Sequence, residues 1–356
     1  MKKFPFLLAL ACCILISFTA CSGKKSEITS EEISEETSSE PVVESSEEEP
    51  EEVFYSIYNG LEIEEDQVGL RPIMVMIDNQ YYARNQANLT KASIVWEMRV
   101  EGEFTRYMAL FEQKPGQNDF LVGPIRSARP NFVTIANQYG AIYAHHGGSW
   151  DGLQLIQRLG LDDLEGMRGE EGLFFRYRET GKRPPHDSYF NLEKAFQQAE
   201  KMGYQLEGKD VGFSFHPVFE PLDHGESAQS FILDYQGKLN NIQFKYLPEK
   251  QAYERYREGT LQVDEGTEEP VLSTNVIIQY ANSYNYDSKG HKAFDSIGEG
   301  KGFYVTGGKV IPIRWEKSDD HTTPTRFLTE DEKDLVLNPG LTWICVIDDR
   351  MDPNFE

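Results

Sequence analysis

The chain has 356 residues, 59 of them acidic against 35 basic, for a formal net charge of −24. A chain this acidic is repelled by nucleic-acid phosphates and by anionic lipid headgroups, so neither is expected as a general partner. Its four cysteines are Cys12, Cys13, Cys21 and Cys345, a pattern that offers no disulfide framework.

The first 21 residues, MKKFPFLLALACCILISFTAC, place Lys2 and Lys3 ahead of an apolar run from Phe4 to Phe18. That is the pattern of a secretory signal peptide, and it is too short to serve as a mature span of a bilayer ~30 Å thick. Thr19 and Ala20 before Cys21 resemble the lipobox of bacterial lipoproteins, with Phe18 where Leu is usual. Cys21 is therefore expected to be the acylated N-terminus of the mature protein. Cys12 and Cys13 would leave with the signal, and Cys345 alone would stay in the folded part.

Residues 22–52 are mostly Ser, Glu and Thr, with twelve Glu against two Lys. Such a segment cannot bury enough apolar surface to fold and is expected to be a disordered tether. A coil of this length reaches on the order of 30 Å. Setting aside the signal's two lysines and the tether's net −10 from the total of −24 leaves −16 for the folded body from Val53 onward.

Within that body RPIMVMIDN, at 71–79, is a short apolar run bounded by polar residues and reads as a covered strand. IVWEMRV (94–100) and FTRYMALF (104–111) read as a hairpin around Glu101, Gly102 and Glu103. Period-2 alternation puts Ile94, Trp96, Met98 and Val100 on one face and Glu97, Arg99 and Glu101 on the other. PNFVTIANQYG repeats its apolar residues at helical spacing, with Pro130 at the start and Gly140 at the end. AIYAHH then reads as a strand, Gly147 to Ser149 as a turn, and Leu153, Ile156 and Leu159 as a second helix with Ser149 as its N-cap. NLEKAFQQAEKMGY reads as a third helix between Asn191 and Gly203.

Beyond residue 226 the helical pattern fades into short β-branched and aromatic runs, such as NVIIQY, GFYVTGGKVIPIRW and TWICVI, separated by Gly-Gly and Asn-Pro-Gly turns. This half is read as mainly antiparallel β. No long linker separates the two halves, which leaves a shared sheet open to them.

The stretch YAHHGGSWDG, at 143–152, admits three readings. A metal site is disfavoured: consecutive strand residues point to opposite faces, so His145 and His146 could not share an ion, and His186, His216, His224, His291 and His321 are scattered. A serine nucleophile is the second reading, because GGSWD comes close to G-x-S-x-G, but Asp151 replaces the last glycine and Ser149 also suits an N-cap. An anion cradle is the third. The helix start after Gly148 exposes N–H groups, and GPIRSARP brings Arg126, Ser127 and Arg129 to the start of the other helix. The competing reading is an internal network in which Arg126 and Arg129 pair with Asp78, Glu97 or Glu101. One histidine is expected to face inward and the other toward the turn.

RPIMVMIDN, IVWEMRVEGEFTR, GPIRSARPNF, HHGGS, PTRF and LNPGLTWICV, in this order, resemble the YerB-like lipoprotein family, whose domains have no known function. The resemblance runs from about Leu70 to Ile347. It implies an α/β protein of the α+β kind, a three-layer ββα sandwich, with an N-terminal domain over 53–212 and a β-rich C-terminal domain over 226–350. It supplies no catalytic residues. Glu103 stands where the family has a second Gly, and PHDSY (185–189) where PHN is usual, so neither the hairpin turn nor the His186 loop is read as a fixed catalytic element.

The expected function is that of a lipid-anchored protein on the extracytoplasmic face of a bacterial membrane, binding an envelope protein or a small anionic ligand, with no cofactor, no metal and no nucleic acid. Its candidate ligand-binding residues are Asp78, Glu97, Glu101, Arg106, Arg126, Ser127, Arg129, His145, His146 and Ser149. The alternative is an envelope hydrolase acting on a cell-wall component with Ser149 as nucleophile.

Overall fold

The computed structural model of the protein describes residues 52–112, 121–168, 172–235 and 241–356. The signal peptide, Cys21 and the tether up to residue 51 lie outside the described residues. Three helices form where their caps are written. Helix α1 spans Pro130–Gln138, helix α2 Trp150–Leu159 and helix α3 Leu192–Lys201. Ser149 Oγ accepts from the Gly152 amide at 3.2 Å, and Asn191 Oδ1 from the Lys194 amide at 3.1 Å, which satisfies N–H groups that a helix start leaves without partners. Gly160 ends α2 at φ 62°, a left-handed turn that other residues adopt at a cost.

One 11-stranded sheet takes strands from both halves of the chain. Thr342–Ile347 lies at its middle, parallel both to Asn275–Tyr280 and to Ile94–Glu101. A continuous apolar strand such as TWICVI suits this place because both of its faces are covered. On the N-terminal side the order continues through Phe104–Phe111, Ile73–Asp78, Ile142–His145 and Asp163–Glu165, the last three running parallel. On the other side lie Gly298–Thr306 and Lys309–Lys317. A six-stranded sheet is built from the C-terminal half, chiefly Ser230–Asp234, Asn241–Leu247 and Ala252–Arg257.

These pieces stack in three layers. Trp96 lies on one face of the large sheet, opposite Ile344, with its ring 5.3 Å from Tyr139 at the end of α1. On the other face Tyr107 and Trp343 meet edge to face at 5.1 Å, and Arg255 of the second sheet lies 4.6 Å above the Trp343 ring. The fold is therefore α+β, helix on sheet on sheet. Trp96 and Glu97 both belong to the buried interior, so period-2 alternation in this strand separates two covered faces.

Candidate functional site

The segment Gly123–Arg129 runs past the C-terminal ends of two parallel strands. The Asp78 amide donates to Pro124 O at 2.8 Å, the Arg126 amide to Met76 O at 3.0 Å and the His146 amide to Arg126 O at 3.1 Å. Farther along, the Ala128 amide donates to Gly147 O at 2.9 Å and the Ser149 amide to Ala128 O at 3.2 Å. The starts of α1 and α2 thus share one edge of the large sheet. Asp78, Arg126, Ser127, Arg129, His145, His146 and Ser149 come together there.

Glu101 joins them by a local irregularity. Arg99 pairs with Thr105 but Glu101 pairs with Phe104, so the strand bulges between the two. Plain alternation leaves Glu101 on the face of Glu97; the extra residue moves it to the face of Arg106. There Glu101 accepts two bonds of 2.9 Å from Arg129 and forms an ion pair with Arg106. Arg106 also donates to Ser127 O at 2.8 Å. Burial, with repulsion from Arg129, pushes the Arg106 guanidinium down to about 10 in spite of Glu101. These three side chains satisfy one another.

Glu97 stays on the opposite face. Its carboxylate accepts from Arg255 at 2.6 Å, from Thr105 Oγ1 at 2.8 Å and from Trp343 Nε1 at 3.1 Å. It is wholly buried between the two sheets and takes no part in the polar edge.

The two histidines of the turn diverge. His145 is buried, with Nδ1 at 2.8 Å from Gly147 O and Nε2 at 3.1 Å from Asp163 Oδ2. His146 turns the other way, with Nδ1 at 2.7 Å from Ser188 Oγ. The inward histidine, rather than its neighbour, is the one that touches the turn, because the Gly147 carbonyl folds back over it. The glycine turn ahead of α2 holds one of the protein's own anions: Glu165 Oε1 accepts from the Gly147 amide at 2.9 Å and from the Met167 amide at 2.8 Å. Ser149 Oγ is engaged in capping α2, and among the described residues no histidine bonds to it.

An open cleft lies beside this edge. Asp78 Oδ2 accepts from His186 Nδ1 at 2.8 Å and pairs with Arg126 Nε at 3.2 Å, while Oδ1 accepts from the Gln80 amide at 3.0 Å. Burial raises the Asp78 carboxyl, and His186, Arg126 and that amide more than reverse it, so it is held below the ordinary carboxylate range. Arg126 remains 27% exposed. His186 and Tyr82, whose rings lie 6.1 Å apart, line a cleft of about 590 Å³ together with Arg84, Lys182 and Arg183. Arg84 pairs with Glu258 and Lys182 with Glu265; Lys182 Nζ also donates to Asn85 O at 2.6 Å. Burial lowers the Lys182 ammonium, and Glu265 restores it in part. The sequence reading did not select these cleft residues. The basic run GKRPPH was the available signal, but its partners lie about a hundred residues away.

Two family models match the chain: "Protein of unknown function (DUF3048) N-terminal domain" over residues 58–205 and its C-terminal counterpart over 232–344. The "Putative lipoprotein YerB" of Bacillus subtilis (strain 168) is 30% identical over 294 residues, covering 82% of this chain and 85% of that protein. The chain belongs to the YerB-like family. The crystal structure of B. subtilis YerB matches with a TM-score of 0.75 at 29% identity, over 85% of this chain and 99% of that one. In this YerB-like protein the cleft draws on both matched regions. Tyr82, Arg84, Lys182 and His186 come from the first, and the carboxylates of Glu258 and Glu265 from the second.

Proposed function

We propose that this YerB-like protein is anchored through Cys21 to the extracytoplasmic face of the cell membrane and binds a small anionic ligand without transforming it. The observation that carries the binding reading is the cleft. Arginine and lysine converge there in a body of net charge −16, around a space within the ~300–1,000 Å³ usual for small-molecule sites. Arg126 reaches its rim through Asp78 and His186. Glu101, Arg106 and Arg129 serve as the frame behind it, since Glu101 bonds both guanidinium groups. The hydrolase reading has less support, because its serine hydroxyl caps a helix and no histidine bonds to it among the described residues.

Two experiments test the two parts. Cys21→Ala should move the protein from the membrane to the soluble fraction and change its electrophoretic mobility; unchanged fractionation sinks the anchor. Calorimetric titration of the folded body with a panel of envelope-type acids, including sugar phosphates, sugar acids and polyol phosphates, should find at least one that binds. If none binds, or if binding survives Arg84→Ala combined with Arg183→Ala, the cleft is not the site.

A further inference from the structure

From the charges and hydrogen-bonding groups of the cleft, we infer that its ligand is a hydroxylated monoanion: one singly charged acid group set beside hydroxyls on a ring or polyol. The inference rests on the binding reading above and narrows it. Each of three cations has its own carboxylate, Arg84 with Glu258, Lys182 with Glu265 and Arg126 with Asp78. Arg183 is exposed and makes no side-chain hydrogen bond or ion pair among the described residues. One positive charge is therefore left over, which matches one negative charge on the ligand. A guanidinium fork takes either a carboxylate or the two free oxygens of a phosphodiester.

His186 supplies the second half of the recognition. Asp78 is held as a carboxylate and can only accept, so His186 Nδ1 carries the proton that it donates at 2.8 Å. In the neutral ring Nε2 is then an acceptor. It makes no hydrogen bond among the described residues, and the ring lines the cleft. An acceptor in that place calls for a donor on the ligand, and a hydroxyl is the donor that an anionic sugar or polyol offers. Tyr82, 68% exposed, gives an apolar ring face beside it for the carbon skeleton.

The test is a titration of the folded body at pH 8, read by NMR shifts or calorimetry, with glycerophosphoglycerol, glucuronate, glucose, dimethyl phosphate and fructose 1,6-bisphosphate. Binding of glycerophosphoglycerol or glucuronate at least tenfold tighter than the other three supports the inference. Those two arms distinguish a phosphodiester from a carboxylate source, and phosphatidylglycerol vesicles report whether a lipid headgroup is taken as well. Arg183→Ala should weaken the preferred monoanion about tenfold, with Arg183→Lys intermediate. His186→Phe should abolish its advantage over dimethyl phosphate, and circular dichroism checks that the variant is folded. If the bisphosphate binds best, anion binding stands and the one-charge inference fails. If dimethyl phosphate equals the hydroxylated probes, the role of His186 fails. If no anion binds, the binding reading fails with it.

Discussion

Arg255 and Glu97 form an ion pair at 2.6 Å in which neither side chain has any exposure to solvent. The guanidinium comes from the second sheet and the carboxylate from the large one, so the pair joins the two layers at their shared core. Tyr107 and Gln262 add bonds to the same guanidinium, at 3.1 and 2.5 Å. Leaving one charge buried without the other should be costly: Glu97→Ala is expected to lose about 3–5 kcal/mol in urea denaturation. Replacing both by Met should recover most of that loss, because the penalty comes from the stranded charge. A single variant with near wild-type stability would show that the pair contributes little.

The edge arginines should differ from each other. Arg129 is buried and holds Glu101 through two bonds, so Arg129→Ala is expected to cost about 3 kcal/mol. Arg126 is partly exposed, and Asp78 keeps His186 and the Gln80 amide when it goes, so Arg126→Ala should cost about 1–2 kcal/mol. Chemical denaturation of both variants decides it; equal losses would contradict the division between frame and rim.

Stability should fall in acid partly through Asp78. Its folded-state carboxyl lies below the unfolded value, so its contribution is complete above about pH 4 and is lost as pH drops through the lower folded value. Asp78→Asn, which mimics the protonated carboxyl, is expected to be about 2 kcal/mol less stable at pH 7. The gap should close as the pH falls below about 4. Urea midpoints measured from pH 7 to pH 2.5 follow it, and a gap that stays constant would remove Asp78 from the acid transition.

Ser149→Ala should behave as the loss of a helix cap. The expected cost is about 1 kcal/mol, seen as a lower melting temperature. Ligand binding in the cleft should be unchanged. A variant of full stability with lost function would return Ser149 to the chemistry.

The helices, the hairpin and the buried strands were legible in the residues themselves. Pro130, Ser149, Asn191 and Gly160 act on amides and carbonyls within a few positions of themselves, and apolar spacing reports which side of an element is covered. The shared edge of α1 and α2 was only half within reach, because α2 follows Ile142–His145 of the large sheet directly, whereas α1 follows Leu121–Val122, a strand of another sheet. Tertiary structure alone decided the polar pairings. The bulge beside Arg99 moved Glu101 across the sheet, and the partner of Glu97 arrived from 158 positions away. Glu165 filled the glycine turn, and His186 reached Asp78 over 108 positions. Charges attract whichever opposite charge the folded backbone brings within a few ångströms, and periodicity along one strand carries no record of that choice.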